Sequence, residues 1–455
     1  MYGPGEVLLV SCYELGHQPL GTALPAAFLE RAGFAPAQLD LAVQPFDEAA
    51  VRRARFIAVS APMHTALRIG ARLVERTRRA NPDVFLCFHG LYAALNAPYL
   101  LGHGVDATLA GECEPELVRL ALAVAQGRRP RGAVPPVIER LDFPVPLRSG
   151  SPAEPGYARL VHEERLVPAG YVEASRGCLH HCLHCPIPPI YHGRFFVVPA
   201  AVVLEDVRRM VAQGVAHITF GDPDFLNGPG HSLRIVRALH REFPQLTFDC
   251  TTKVEHILRH RAVFPELGRL GCLFVVSAVE SLSDRVLASL EKGHSRADVF
   301  EALRITRAAG VALRPSFVAF TPWTTLEDYI DVLAFVEAEG LIAQIDPVQL
   351  TIRLLVPPGS TLLDTPRMRE HLGALDAAGF SYFWTHPDPR MDRLHRHVVR
   401  LVERATRRGE AAAVTFERIK VLACTLQDGR RPRRREPLEA ALPGQSPRLT
   451  EPWFC

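Results

Sequence analysis

The sequence predicts an α/β protein in three parts: a Rossmann-like doubly wound unit, a second parallel-sheet unit with fewer than eight β/α repeats, and a helical C-terminal extension. From residue 1 to 130, and again from 171 to 358, short apolar runs alternate with amphipathic stretches of helical period. This is the pattern of parallel strands joined by crossover helices. Beyond Pro358 the alternation stops. At roughly 150 residues per domain, 455 residues leave room for two or three domains. The expected boundaries are 1–130, a linker over 131–166, 167–358 and 359–455.

In the first unit, Glu6 to Ser11, Gln38 to Val43, Phe56 to Ser60, Val84 to Phe88 and Ala107 to Ala110 read as short buried strands. Thr22 to Ala32 and Thr65 to Arg79 read as helices between them. In sheets of this kind ligands lie beyond the carboxyl ends of the strands. The candidate ligand loops are therefore Cys12 to Gly21, Ala61 to His64, His89 to Leu91 and Gly111 to Glu114. From Arg128 to Leu166 the chain is rich in Pro, Gly and Arg without periodicity, and reads as a surface linker.

Composition excludes several classes. The chain is 48% hydrophobic and 22% charged, which is globular rather than disordered. A net charge of +3 gives no global sign of nucleic acid. No apolar run reaches the length of a membrane span, and Val7 to Val10 is too short for a signal sequence, so a cytoplasmic protein is expected. Ten cysteines without regular pairing argue for a reducing compartment rather than a disulfide framework.

The second unit opens with an apolar lead-in, Ala169 to Ala174, followed at once by Cys178, Cys182 and Cys185 in C-x3-C-x2-C spacing. Four-iron clusters usually take four thiolates, so three leave one iron open. An open coordination position marks a catalytic metal centre. The alternative is zinc held by the three cysteines and one of His180, His181, His184 or His192, but zinc ligands usually come as two separated pairs and no second pair is visible. Further strands are expected at His217 to Phe220, Thr247 to Thr251, Leu273 to Ser277, Leu313 to Phe317 and Gln349 to Leu354. With the lead-in this makes six β/α units, and in a parallel barrel the polar groups at strand ends face the active site.

C-x3-C-x2-C after a strand resembles the signature of radical S-adenosylmethionine (SAM) enzymes, although the residue before the last cysteine, commonly aromatic there, is His184. The resemblance implies a six-unit open barrel and a [4Fe-4S] cluster on Cys178, Cys182 and Cys185. SAM would chelate the open iron and be cleaved to a 5′-deoxyadenosyl radical. It further implies a small-molecule or peptide substrate and an electron donor such as a flavodoxin or ferredoxin. Gly221-Asp222-Pro223-Asp224 stands where the family has a Gly-Gly-Glu-like turn holding the SAM amino group, which makes Gly221, Asp222 and Asp224 candidates. Ser277 to Ser281 with Lys292-Gly293-His294 resembles the segment that contacts SAM ribose in the cobalamin-associated subgroup, adding Ser277 and Glu280. Arg314 could pair with the SAM carboxylate through its planar fork. For each of these charged residues alone, an ordinary ion pair is the alternative. Lys253, Glu255 and His256 after the third strand are cavity candidates without an assigned role, and Trp323 is either a substrate wall or a packing residue.

The first unit resembles the cobalamin-binding domain that precedes the barrel in many radical SAM proteins. This rests on Gln18-Pro19-Leu20-Gly21, on the strand ending at Ser60 and on Leu109 to Glu114. It implies His17, Ser60, Gly111 and Glu112 as cobalamin contacts. The D-x-H-x-x-G motif is absent and Tyr13 to His17 is only loosely similar, so either His17 is an unorthodox ligand or no histidine coordinates. A cofactor-free domain that shapes the active site stays open, while no G-x-G-x-x-G follows the first strand for a nicotinamide. With cobalamin the expected reaction is methylation of an unactivated carbon. Without it, oxidation, rearrangement or sulfur or selenium chemistry is expected; the rival class is a non-catalytic iron–sulfur or zinc protein.

Beyond Pro358, Arg367 to Ala378 and Arg390 to Arg408 read as helices interrupted by Tyr382 to His386. Arg430 to Arg435 is a basic run that reads as a solvated tail. The ending Leu449 to Cys455 is apolar and resembles the tail of a radical SAM family in which a cysteine is followed by selenocysteine or cysteine and then Ala-Glu-Pro. That resemblance implies a chain stopped at a selenocysteine codon, with Cys455 as a redox or metal-binding group. An ordinary terminal cysteine is the alternative.

Overall fold

The computed structural model describes residues 3–163, 165–428 and 447–450. The first sheet has six parallel strands: β1 (Val7–Ser11), β2 (Ala37–Asp40), β3 (Phe56–Ser60), β4 (Phe85–His89), β5 (Ala107–Leu109) and β6 (Gly132–Ala133), in the order β2-β1-β3-β4-β5-β6. Both faces are apolar. Leu8 and Val10 pack into one core, and Val7 and Leu9 into another on the opposite face. Burial on two faces is why these strands read as continuous apolar runs rather than alternating ones. The order reverses between β1 and β3, so the crevice for a ligand lies above Ser11 and Ser60, which are paired across the two strands.

The second sheet is a curled half-barrel. It contains β7 (Arg159–His162), β8 (Arg165–Val172), β11 (His217–Phe220), β12 (Thr247–Thr251), β13 (Cys272–Glu280), β14 (Ala312–Phe317) and β17 (Arg448–Leu449), in the order β14-β13-β12-β11-β8-β7-β17. Strands β8 and β11 to β14 are parallel; β7 runs antiparallel to β8, and β17 antiparallel to β7. Two edges of the curl meet through Arg314 of β14, which donates to the Pro447 carbonyl at 3.2 Å. Two short hairpin-like pairs complete the strands: β9 (Ser175–Gly177) with β10 (Phe195–Val197), and β15 (Leu372–Asp376) with β16 (Ser381–Trp384).

Three expectations are corrected. Gln349 to Leu354 is not a sixth barrel strand: Pro347–Thr351 forms a 3₁₀ turn that the Asp346 side chain caps at Val348 N, and the segment meets the barrel through a single bridge between Phe320 and Arg353. Arg367 to Ala378 is a one-turn helix (Pro366–Arg369) followed by β15, because Gly373 and the turn at Gly379 break the helical period. The 131–166 stretch is more than a linker, since it adds β6 to the first sheet and β7 to the second. The extension otherwise is helical, with helices Pro389–Arg407 and Ala412–Asp428. Helix Leu326–Ala338 opens with a capping box between Thr325 and Asp328. The basic run at 430–435 lies outside the described residues.

The two sheets are joined at their carboxyl ends by a buried charge cluster. Arg176, on β9, lies 3.2 Å from Glu112 and 2.8 Å from Glu114 of the loop after β5, and 3.5 Å from Glu173. Tyr191 donates to the other Glu112 oxygen at 2.9 Å. Gly111, with φ of +74°, lets this loop lie against the 131–166 stretch: a Cβ there would stand 2.0 Å from the Val137 carbonyl oxygen.

Replacing Arg176 with Met strands two buried carboxylates and is expected to destabilise the chain by about 3–5 kcal/mol in urea unfolding, with part recovered in R176M/E112Q. A loss below about 1 kcal/mol would show that the cluster does not hold the sheets. Gly33 shares the left-handed backbone but faces open space. Gly33→Ala should therefore cost about 1 kcal/mol, and Gly111→Ala about 3 kcal/mol because Val137 must also move.

Candidate active site at the strand ends

Cys178, Cys182 and Cys185 are free thiols on the loop that leaves β9. The loop is fixed at several points. Cys178 N donates to the Arg194 carbonyl at 3.0 Å, Leu183 N donates to the Leu290 carbonyl at 3.2 Å, and Leu183 O accepts from Thr361 at 2.8 Å. Leu179 N reaches the Asn227 side-chain oxygen at 3.4 Å. Burial pushes the Cys185 thiol up to about 12, with the charges of Cys182 and Cys178 adding to it and Lys292 opposing them. Three thiols near enough to oppose one another's ionisation, with a buried cation beside them, form a donor set that fits an iron–sulfur cluster.

The carboxylates expected at the strand ends are there, but each is engaged by the protein. Asp222 accepts from Ala174 N at 2.9 Å and from Ser175 Oγ at 2.6 Å, so it ties the loop leading to the cysteines onto the end of β11. Burial raises its pKa to about 6 against those hydrogen bonds. Asp224 accepts from Leu226 N at 3.0 Å and Thr252 Oγ1 at 2.6 Å. Burial pushes its carboxyl up, and the imidazoles of His180 and His256 with Thr252 outweigh it, holding the group well below the usual carboxylate range. Glu280, at the end of β13 in a left-handed conformation (φ 64°), lies 3.2 Å from both Lys292 Nζ and His184 Nε2. Against the push of burial, the Lys292 charge and the His184 contact hold its carboxyl at about 2.

The remaining barrel candidates are placed differently from the expectation. Gly221 packs under Tyr171, whose ring a Cβ would strike at 1.9 Å. Ser277 shares a strand face with Val275 and Val279, which belong to the helix-packed core, so its buried hydroxyl does not reach the cavity side. Arg314 sits opposite Val276, below the end of β14, with its guanidinium over the Phe274 ring at 5.4 Å and on the Pro447 carbonyl. Trp323 packs against the barrel core.

In the first sheet, the switch-point crevice is lined by Ser11, Ser60 and the loop Glu14 to Gly21. Glu14 accepts from Gly21 N at 3.2 Å and lies 3.3 Å from Ser60 Oγ. Desolvation raises its pKa to about 7. The buried Ser11 hydroxyl and His89 Nε2 have no hydrogen-bond partner. His17 packs against Tyr171 of β8, with ring centroids 5.0 Å apart and the rings tilted by 35°. Gly111 and Glu112 are absorbed into the junction with Arg176. The sequence did not single out Arg176, Tyr191, Asn227 or Glu14, because each has a partner tens of residues away: Glu112 and Glu114, Glu112, Leu179 and Ser60. Cys455 lies outside the described residues.

Comparison with known proteins agrees with this geometry. Residues 172–336 match the family described as the Radical SAM superfamily. The hopanoid C-3 methylase of Methylococcus capsulatus is 26% identical over 324 residues, covering 67% of this chain and 62% of that protein. The ribosomal protein uS12 methylthiotransferase RimO of Anaeromyxobacter sp. is 28% identical over 182 residues, 37% of this chain and 38% of that one. The chain thus spans less than two thirds of the length of these curated relatives. Among solved structures, the radical SAM methyltransferase TsrM of Kitasatospora setae, with cobalamin and a [4Fe-4S] cluster bound, aligns at TM-score 0.58 and 17% identity over 73% of this chain and 70% of its own. The cobalamin-dependent SAM radical enzyme OxsB aligns at TM-score 0.65 and 14% identity over 88% and 67%. Among the described residues no helix is long and apolar enough to cross a membrane. The half-barrel of this chain, with Cys178, Cys182 and Cys185 at its mouth, is a radical SAM domain.

Proposed function

We propose that the chain is a SAM-cleaving radical enzyme that holds a four-iron cluster on Cys178, Cys182 and Cys185 and, with a corrinoid in the crevice of the first domain, methylates an unactivated carbon. The reading is supported by three thiols in one loop without a fourth, and by the contact of His17, from the loop after β1, with Tyr171 of β8, the strand that leads to that cysteine loop. When bound, the cluster and SAM supply reductive cleavage to a 5′-deoxyadenosyl radical, and cobalamin supplies a transferable methyl group. The chain's own residues orient and insulate: Asp222 anchors the loop, Arg176 fixes the two strand-end faces, and the unpartnered Ser11 and His89 leave polar atoms for a ligand. The division into a first unit, a radical SAM barrel and a helical extension belongs to the same proposal, as do SAM contacts by backbone around Gly221 and by Glu280.

Glu14 favours a second reading. Its carboxylate fills the space between Ser60 and the start of helix Leu20–Arg31 at the carboxyl end of the first sheet, and supports a cobalamin-independent radical reaction. Cobalamin retained by the full chain after gel filtration supports methyl transfer; none retained supports the second reading. An in-frame UGA after the Cys455 codon is the expected gene sequence if the cysteine–selenocysteine tail reading holds; an ordinary stop codon followed by no Ala-Glu-Pro codons sinks it.

Anaerobically reconstituted protein with dithionite should release 5′-deoxyadenosine from SAM, and Cys182→Ala should reduce this to background. A colourless protein without SAM cleavage sinks the reading. Lys292 is buried near Cys182 and Cys185, and Glu280 is its partner. Removing one fixed charge from this environment should move the cluster midpoint potential with the sign of that charge. In redox titrations without SAM, Lys292→Met should be more negative than the parent and Glu280→Gln more positive. Shifts in the same direction would indicate a packing effect instead.

A further inference from the structure

We infer that His180, Asp224 and His256 form a separate mononuclear site for a divalent first-row transition ion, zinc or ferrous iron, beside the cysteine loop. One ligand atom from each lies within 4.8 Å of the others. The Asp224 Oδ2 atom is 3.3 Å from His180 Nε2 and 2.9 Å from His256 Nδ1. The Asp224 and His256 side chains are 0% and 4% exposed. Both nitrogens are buried, and neither makes a hydrogen bond. Unpaired nitrogens in such a place are destabilising, and a cation between the three atoms satisfies both at once. Bonds of about 2.0 Å put neighbouring tetrahedral ligands about 3.3 Å apart, close to the two spacings from Asp224 to the imidazoles.

The surrounding groups suit the same role. Thr252 Oγ1 and Leu226 N occupy Oδ1 of Asp224, while Oδ2, which accepts a long hydrogen bond from Lys253 N at 3.3 Å, is turned toward the imidazoles. Ligation through Nε2 makes His180 Nδ1 an N–H donor, and the Glu255 carboxylate is 3.8 Å from it. Lys253 Nζ lies 3.2 Å from the same Nδ1 and 3.3 Å from Glu255, so with an ion bound it pairs with Glu255 alone. Two imidazoles and one carboxylate are a borderline donor set that suits zinc or ferrous iron over calcium or magnesium, with positions left open. Asp224 follows β11, His256 follows β12, and His180 lies between Cys178 and Cys182, so the ion would pin the cysteine loop to two strand ends.

The test uses the full chain with its cluster reconstituted, equilibrated with one equivalent of zinc and desalted. Mass-spectrometric metal analysis should find one zinc per chain beyond the cluster iron, lost in His256→Ala with iron unchanged. A second arm replaces Cys178, Cys182 and Cys185 with Ala and adds cobalt(II). Visible d–d bands without a thiolate charge-transfer band are expected, and they should vanish when His256→Ala is added. The inference is overturned if the parent retains no zinc, as when Lys253 donates to His180 Nδ1 and both imidazoles face Asp224 as N–H donors. Equal retention in His256→Ala, or a thiolate charge-transfer band, also overturns it. Failure to assemble a cluster would count against the proposed function and leave the cobalt arm to decide this site.

Discussion

A guanidinium taken out of water must be matched by carboxylates, and the arrangement of this molecule depends on where Arg176 finds them. Its partners, Glu112 and Glu114, belong to the loop after β5 of the first sheet, while Arg176 itself sits two residues before the first cysteine. Replacing such a cluster by apolar residues can leave net stability unchanged, but breaking it on one side is expensive. Its effect is therefore geometric: the carboxyl ends of two parallel sheets face each other, and few other orientations of the sheets bury these charges in pairs.

The strand ends of the half-barrel show the same economy of charge. Asp222 holds the lead-in to the cysteines, Asp224 gathers groups from β12 and the cysteine loop, and Glu280 neutralises Lys292 beneath Cys182 and Cys185. Buried carboxylates resist ionisation unless each is given donors of its own. The structure supplies different donors to each: hydroxyl and amide to Asp222, hydroxyl and amides to Asp224, ammonium and imidazole to Glu280. These carboxylates act first as positioning groups for the loop that carries the thiols.

At the first sheet, the crevice above Ser11 and Ser60 combines two opposed features. Ser11 and His89 present buried polar atoms without partners, which favours a ligand, whereas Glu14 already occupies the start of helix Leu20–Arg31. The balance between them turns on how readily Glu14, held near pKa 7 by its surroundings, leaves that place.

The sequence by itself determined the class of each unit and the three thiols. Buried parallel strands leave a local signature of short continuous apolar runs between stretches of helical period, and a metal loop is a short-range pattern. Interactions between distant segments decided the rest. The apolar run Gln349 to Leu354 has the letters of a strand, yet Asp346 and Pro347 start a 3₁₀ turn before it. Ser277 reads as a strand-end hydroxyl, but register puts it on the helix-packed face, and Arg314 is drawn to the chain's far end at Pro447. Arg176 carries no local mark at all. A charge buried between domains is specified by which residues meet in space, and that is decided only when both sheets have formed.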